Sequence, residues 1–329
     1  MMNYETYQGS KVLITGGIGF IGSNLARKLV NLGAEVLIVD SLIPEYGGNL
    51  FSISDIQDKV EINISDVRDE YSMRYLVQGK DYLFNLAGQT SHLDSMNDPY
   101  TDLDINCRAQ LSILESCRKY NPNIRIVFSS TRQLYGKPDY LPVDEKHLLR
   151  PVDVNGINKM AGEWYHILYN NVYGIPATAI RLTNTYGPGM RIKDARQTFL
   201  GIWVRLLVEG KAFEVWGGEQ LRDYTYVDDA VDALLMAAIE DNAIGKIFNL
   251  GGDCVISLRD TAKTMIEANG GGEFTIREFP PERKRIDIGD YYSDDRFIRS
   301  VLGWEPKVSL QEGLTKTLKY YRENLEHYL

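Results

Sequence analysis

Gly16-Gly-Ile-Gly19-Phe-Ile-Gly22 decides the fold of this chain. The stretch follows the apolar run Lys11–Thr15 and begins a segment with helical periodicity near 20–32. Three glycines at this spacing are a weak signal alone, so the motif needs a strand before it and a helix after it. Both are present, and Asp40 ends the next predicted strand 18 residues beyond Gly22. The sequence therefore predicts a strand, a tight turn and a helix at the start of a βαβ unit.

This unit has the chemistry of a dinucleotide site. Glycines let the backbone approach a pyrophosphate, and a helix N-terminus supplies amide donors and positive potential. Asp40 would accept hydrogen bonds from both ribose hydroxyls and repel a 2′-phosphate, which favours NAD over NADP. The motif residues are Gly16, Gly19, Phe20, Ile21 and Gly22, and the further predicted cofactor contacts are Asp66, Val67, Leu86, Ala87, Gly88 and Asn106.

The rest of the chain alternates short apolar runs with longer helical patterns. Predicted strands cover Lys11–Thr15, Glu35–Val39, Val60–Ile64, Asp81–Asn85, Ile124–Phe128 and Ala177–Arg181, and predicted helices lie near 20–32, 68–78, 100–120 and 155–172. This alternation predicts an α/β fold, a Rossmann-type doubly wound parallel sheet with a smaller C-terminal substrate-binding portion. We expect residues 1–180 to form the NAD-binding domain, with 224–252 returning to it, and 181–329 to bind mainly substrate.

Composition narrows the class of partner. The formal net charge is −9, which argues against nucleic acid or an anionic membrane as the main partner. The apolar runs are strand-length, well short of the roughly 20 residues of a membrane span. The N-terminal ten residues do not resemble a secretory signal, and three cysteines have no metal-type spacing. We expect a cytoplasmic protein with reduced thiols and no bound metal.

Four further motifs resemble one enzyme family over nearly the whole chain. They are Phe128-Ser-Ser-Thr-Arg-Gln-Leu-Tyr-Gly136, Arg181-Leu-Thr-Asn-Thr-Tyr-Gly-Pro188, Arg222-Asp-Tyr-Thr-Tyr-Val-Asp-Asp229 and Leu302-Gly-Trp-Glu-Pro306. The chain resembles the extended short-chain dehydrogenases/reductases of the NAD-dependent epimerase/dehydratase group. The resemblance implies NAD as cofactor, a nucleotide-diphosphate sugar as substrate, and a homodimer paired through the helices near 100–120 and 155–172.

The resemblance also locates the catalytic positions. In such enzymes a lysine holds the nicotinamide ribose and lowers the pKa of a tyrosine, which removes a hydroxyl proton from the sugar. Thr131 matches the hydroxyl position of the site and Lys159 the lysine, whereas Asn155 stands where the tyrosine is expected. A neutral amide cannot act as a general base. A positioned base contributes about 10²–10⁴-fold, so its loss matters.

Three interpretations stay open at this point: another residue takes the proton, the reaction is modified, or the site binds without turnover. His92, just beyond the fourth strand, is the first candidate base because histidine titrates near neutral pH. Tyr135 is a weaker candidate. Arg132 and Gln133 stand where the 4,6-dehydratases have acidic residues, so an epimerase is favoured over a dehydratase, with a nucleotide-sugar dehydrogenase or ketoreductase as the runner-up. A non-catalytic NAD-binding regulator is the alternative of another class.

The resemblance implies a set of substrate contacts as well. Arginine suits a diphosphate because its planar fork binds phosphate oxygens in pairs. Arg222 matches the diphosphate-binding arginine, and a second arginine is expected at Arg283 or Arg285, between which the register is ambiguous. Gln89 and Asn184 complete the predicted substrate contacts. The nucleotide base and the sugar stay open.

Overall fold

The computed structural model describes residues 4–279 and 287–329. Its strands are β1 Lys11–Thr15, β2 Glu35–Asp40, β3 Glu61–Ile64, β4 Tyr82–Asn85, β5 Arg125–Thr131, β6 Ala177–Leu182, β7 Asn184–Tyr186, β8 Phe213–Trp216, β9 Leu221–Tyr226, β10 Ile247–Asn249, β11 Val255–Ser257 and β12 Phe274–Arg277. Its α-helices are α1 Phe20–Asn31, α2 Glu70–Leu76, α3 His92–Asn97, α4 Pro99–Leu103, α5 Ala109–Tyr120, α6 Val154–Tyr173, α7 Phe199–Val208, α8 Val227–Ile239, α9 Leu258–Asn269, α10 Arg296–Leu302 and α11 Leu310–Asn324.

Seven of these strands form a parallel sheet in the order β3-β2-β1-β4-β5-β6-β10. The chain runs outward from β1 to β3, and then crosses back to place β4 on the other side of β1. The order therefore reverses between β1 and β4. Ligands of open α/β sheets bind at such a switch point, beyond the carboxyl ends of the strands.

Both faces of the sheet are covered. Along β1, Val12 and Ile14 belong to one apolar cluster, whereas Leu13 belongs to a second cluster on the opposite face. Helices α1 and α8 contact each other on the first face, and α2 and α6 both contact α5 on the second. This confirms the predicted α/β fold, because a parallel sheet buried on both faces reads as continuous apolar runs.

The helix predicted over 100–120 is interrupted. Helix α4 is followed by a π-helical turn at Asp104–Arg108 before α5 begins. The turn buries Ile105 and Asn106 against the neighbouring helix α6, which contacts it closely. Such π-turns often accompany functional sites because they redirect side chains.

The C-terminal half adds two small sheets over the carboxyl edge. Strands β11, β9 and β7 form one, and β12 and β8 form the other. Trp304 anchors this half, since its buried indole donates to the Asp229 carbonyl at 2.9 Å. In the described residues no helix is both long and apolar enough to cross a bilayer.

Candidate active site

A cavity of about 920 Å³ lies over the switch point between the large sheet and the C-terminal half. The glycine motif and Asp40 line one part of it, and Arg222 lines another. Thr131, Lys159 and His92 also line it. The large sheet thus brings most of the predicted site residues to one place.

The glycine motif is packed so tightly that side chains are excluded. A Cβ atom on Gly22 would lie 2.2 Å from the Gly16 carbonyl oxygen, and Gly16 has a positive φ of 70°. Gly19 is the N-cap of α1 and offers no side-chain acceptor to its first-turn amides. Those amides and the positive helix end are therefore left for an anionic ligand. The local structure fits a pyrophosphate.

Asp40 is held rigidly at the end of β2. Its two carboxylate oxygens accept hydrogen bonds from the backbone amides of Ile18 at 3.0 Å and Leu42 at 2.9 Å. Burial raises the pKa of Asp40, although the neighbouring backbone amides oppose that rise. The side chain lines the cavity, so its remaining lone pairs can accept ribose hydroxyls.

Other predicted cofactor contacts divide into two groups. The side chains or backbone of Phe20, Ile21, Asp66, Val67, Leu86, Ala87 and Gly88 line the cavity. Asp66 also pairs with Arg68 at 2.6 Å, and that hydrogen bond lowers the pKa of its carboxyl group. Asn106 does not line the cavity and is instead buried behind its wall, where its amide donates to the Gln89 carbonyl at 2.9 Å.

Gln89 differs from the prediction in the same way. Its buried side chain donates to the Ser91 carbonyl at 2.9 Å, and the residue is absent from the cavity lining. Gln89 therefore shapes the loop after β4 rather than presenting a polar group to a substrate. The sequence could not show this, because side-chain direction in that loop depends on tertiary contacts.

Lys159 is fully enclosed on α6. Its Nζ donates to the Ser129 carbonyl at 3.1 Å and lies 5.0 Å from the centroid of the Phe128 ring. Burial lowers the pKa of Lys159 to about 8, although the negative charge of Asp102 opposes that shift. Below that pH the site therefore holds a poorly hydrated positive charge, which suits contact with a cofactor or an anionic group.

Asn155 lines the cavity, but its amide nitrogen is engaged by a buried carboxylate and a backbone carbonyl. Its Nδ2 donates to the Gln89 carbonyl at 2.8 Å and to Asp102 Oδ2 at 3.0 Å. Asp102 is completely buried and also accepts from Asn106 at 3.0 Å and Asn158 at 2.8 Å. Three amides thus satisfy one carboxylate. Sequence reasoning missed Asp102, whose only signal was its helical spacing of four residues from Asn106.

His92 forms a dyad with a second carboxylate that sequence reasoning missed. His92 Nδ1 lies 2.9 Å from Asp153 Oδ2. Asp153 is buried, caps α6 through the Gly156 amide at 2.7 Å, and accepts from Gln133 at 3.0 Å. Burial raises the pKa of Asp153, but its contacts with His92, Gly156 and Gln133 outweigh burial and hold it below its usual value. Its position just before the helical pattern was an N-cap signal.

Tyr135 is placed away from the cavity. Its hydroxyl donates to Asn249 Oδ1 at 2.7 Å and accepts from Arg181, which is itself paired with Glu163 at 2.6 Å. Burial raises the pKa of Tyr135 to about 12. The weaker candidate base is therefore part of a buried structural network, and its position gives it no contact with a ligand in the cavity.

Two arginines and an asparagine line the other part of the cavity. Arg222 is buried, donates to the Leu221 carbonyl at 2.8 Å and lies 3.4 Å from Asp287. Burial lowers the pKa of Arg222 to about 10, and the positive charge of Arg132 adds to that shift. Arg132 Nη2 donates to Asn184 Oδ1 at 2.9 Å. Arg283 and Arg285 lie outside the described residues.

Several proteins of known activity are similar to this chain in sequence and in fold. The chain is 32% identical over 314 residues to UDP-glucose 4-epimerase of Mycolicibacterium smegmatis, covering 95% of this chain and 98% of that one. UDP-glucose 4-epimerase of Thermotoga maritima, solved with UDP-glucose, superposes with a TM-score of 0.87 at 30% identity over 96% of this chain and 99% of that one. UDP-glucuronic acid 4-epimerase of Bacillus cereus, solved with UDP-glucuronic acid and NAD, gives 0.84 at 25% identity over 95% and 99%.

These relatives and the site agree on the cofactor. Similar proteins include epimerases, a decarboxylase and a dehydratase that act on nucleotide sugars. The glycine turn, the uncapped helix and Asp40 fit NAD, which is the cofactor of this chain. The profile of the NAD dependent epimerase/dehydratase family matches residues 12–251. The chain belongs to the NAD-dependent epimerase/dehydratase family, whose relatives of known activity are nucleotide-sugar enzymes.

Proposed function

We propose that this protein is a nucleotide-sugar epimerase in which His92 replaces the tyrosine base of its family. One observation carries the proposal: a histidine paired with a buried carboxylate at 2.9 Å lines the same cavity as Thr131 and Lys159. NAD, when bound, can accept a hydride from a sugar carbon and return it. An epimerisation of this kind needs no external reductant.

His92 and Asp153 have the arrangement of a general base and its orienting group. Asp153 Oδ2 lies 2.9 Å from Nδ1, so the carboxylate favours the tautomer with its proton on Nδ1, in which Nε2 is the acceptor for a substrate hydroxyl. The ionised Asp153 stabilises the imidazolium that forms when Nε2 takes that proton. Asn155 cannot compete for this role, because its amide is held by Gln89 and Asp102.

Thr131 and Lys159 have the supporting roles. Thr131 lies at the end of β5 and lines the cavity, so its hydroxyl can bind the reacting sugar hydroxyl. Lys159 holds the cofactor ribose and supplies positive charge, since its Nζ is fixed by the Ser129 carbonyl. Both residues keep the roles that the family assigns to them.

Arg222 binds the diphosphate of the substrate. Its guanidinium lines the cavity on a strand of the C-terminal half, and Asp287 and the Leu221 carbonyl fix its orientation. Asn184, the second polar group here, is fixed by Arg132 and by the Asp223 carbonyl at 2.9 Å. The relatives solved with UDP-sugars support a nucleotide-diphosphate sugar as the class of substrate.

The protein acts as a homodimer in this proposal. Helices α4 and α6 expose large apolar side chains, which we call the apolar face: Tyr100, Leu103, Ile157, Trp164 and Leu168. Tyr100 is 78% exposed and Trp164 51% exposed. Helices α4 and α6 contact each other, and exposed apolar side chains on neighbouring helices are typical of an interface that a twofold axis would pair with itself.

The proposal is tested by an NMR time course in D₂O. Purified protein, NAD and a panel of UDP-, CDP-, dTDP- and GDP-sugars are combined, and new sugar resonances are followed. We expect a new epimer without solvent deuterium, because the hydride returns to the carbon that lost it. Deuterium beside the oxidised carbon would contradict simple hydride return. Binding of a nucleotide sugar without any turnover would refute an epimerase.

A pair of variants tests the base. His92→Ala should lower turnover by about 10²–10⁴-fold while NAD stays bound, since a positioned base contributes that much. His327→Ala is the matched control, because this histidine lies outside the cavity lining and stacks on Phe51. Unchanged turnover in His92→Ala would eliminate His92 as the base.

A further inference from the structure

Arg132 lines the cavity and has one donor that is unpaired within the described residues. This donor, Nη1, is buried. Its Nη2 is occupied by Asn184, and its guanidinium carbon lies 5.1 Å from the centroid of the Tyr291 ring. Asn184 and Tyr291 therefore hold the guanidinium in place, and its Nη1 donor is unpaired within the described residues. A buried N–H group without a partner is costly, so such donors are normally paired when a ligand binds.

The charge of Arg132 is also unbalanced. Arg222 has Asp287 at 3.4 Å, whereas no carboxylate of the described residues lies within 4.0 Å of Arg132. Asp223, whose charge is coupled to that of Arg132, is fully buried and already accepts from Thr183 and from the Ser293 amide at 2.9 Å. Burial raises the pKa of Asp223, which further limits it as a counter-ion. Arg132 therefore lacks a carboxylate counter-ion among the described residues.

The location of Arg132 indicates which part of the substrate would supply that anion. Arg132 directly follows Thr131 at the end of β5, and Thr131 is the residue proposed to bind the reacting sugar hydroxyl. Arg222, on β9 of the C-terminal half, is the residue proposed for the diphosphate. Because Arg132 also contacts Asn184, it lies between the proposed positions of the sugar hydroxyl and the diphosphate. Since Arg222 already serves the diphosphate, Arg132 is available to an anion on the sugar ring.

We infer that the substrate is a nucleotide-linked uronic acid, whose ring carboxylate binds the guanidinium of Arg132. This inference rests on the proposed function, because it requires a nucleotide sugar in the cavity. A carboxylate is ionised at neutral pH and accepts charge-assisted hydrogen bonds from a guanidinium. A neutral hydroxymethyl group would accept a hydrogen bond but leave the charge of Arg132 unbalanced.

Calorimetric titration of the NAD-loaded protein tests the inference in two stages. UDP, CDP, dTDP and GDP are titrated first, and glucose and glucuronic acid linked to the nucleotide that binds best are then compared. The glucuronic acid derivative should bind about 10- to 100-fold more tightly, which is the range for a hydrogen bond to a charged group. Equal binding, or tighter binding of the glucose derivative, overturns the inference while nucleotide-sugar binding stands.

Variants assign the preference to its residue. Arg132→Gln should abolish the preference for the carboxylate while leaving the affinity for the bare nucleoside diphosphate unchanged. Arg196→Gln, which removes another cavity-lining arginine that lies 3.7 Å from Asp94, should keep the preference. If Arg132→Gln lowers the affinity for the nucleoside diphosphate, its glucose derivative and its glucuronic acid derivative equally, Arg132 binds the diphosphate and the inference is wrong. If none of the four diphosphates binds the wild type, the proposed function itself fails, and the inference with it.

Discussion

Replacing Lys159 by methionine should stabilise the folded protein while abolishing turnover. Burial lowers the pKa of Lys159 from 10.5 to about 8. One pKa unit corresponds to about 1.4 kcal/mol, so keeping this lysine charged at pH 7 costs about 3 kcal/mol of folding free energy. Methionine has a similar length and no charge. Its substitution also removes the hydrogen bond from the charged lysine to the Ser129 carbonyl, worth about 2 kcal/mol. The expected net gain at pH 7 is about 1 kcal/mol.

The sign of the pH dependence provides a stronger check. A lysine with a depressed folded-state pKa costs no folding free energy above its unfolded pKa, and the cost develops as the pH falls from the unfolded value to the folded value. The penalty in the wild type is therefore complete below about pH 8 and fades between pH 8 and 10.5. Between pH 7 and pH 9.5 the stability of Lys159→Met relative to wild type should fall by about 2 kcal/mol.

Urea unfolding of both proteins at pH 7 and pH 9.5, without NAD, measures this difference. Lys319→Met, at an exposed lysine of α11, is the control and should show no pH-dependent advantage. A Lys159→Met variant that is less stable than wild type at pH 7 would refute the reasoning. So would an advantage that is the same at both pH values.

Three further predictions concern the His92–Asp153 pair, the predicted ribose contact Asp40 and the apolar face. Asp153→Asn should keep the helix cap, because asparagine caps as well as aspartate. It should lower turnover about 10- to 100-fold, because it removes the negative charge beside His92. Unchanged turnover in a steady-state assay would contradict the role of the His92–Asp153 pair. Burial raises the pKa of Asp40, so on acidification the affinity for NAD should fall at a higher pH than the pKa of an ordinary aspartate. Fluorescence titration with NAD at a series of pH values should show this loss of affinity in the wild type and not in Asp40→Asn. Trp164→Glu on the apolar face should convert the dimer to a monomer in sedimentation velocity, and wild-type protein that already sediments as a monomer would contradict the dimer.

The sequence predicted the large sheet well because its signals are local. A run such as Lys11–Thr15 is apolar on both faces, as a strand covered by two helical layers requires. Gly22 could be assigned a role because a glycine at that spacing has one steric reason, the close approach of the Gly16 carbonyl. The strand end at Asp40 followed from the same patterns, whereas β5 extends three residues beyond the predicted end at Phe128, to Thr131.

The polar interior of the site could not be predicted in this way. Asn106 and Gln89 were expected at the cavity, yet both satisfy buried groups behind its wall. Whether a polar side chain faces a ligand or a buried carboxylate depends on what the π-turn and α6 bring beside it. Asp102 is the residue that decides this, and its role is visible only when Asn106, Asn155 and Asn158 converge on it.

The buried carboxylate of Asp102 gives Asn155 a structural role of its own. Its amide supplies one of three donors to Asp102, and that charge partly offsets the burial of Lys159. A tyrosine at this position has a single hydroxyl donor, so it could not serve Asp102 and the Gln89 carbonyl together. The amide therefore stabilises the carboxylate that favours the charged form of Lys159, and the proposed function assigns the proton chemistry to a separate pair, His92 and Asp153. In the usual site of the family the lysine lowers the pKa of the catalytic tyrosine. Here the lysine is kept at a cost of about 3 kcal/mol without a tyrosine to activate, so in the proposed function its charge acts on the cofactor.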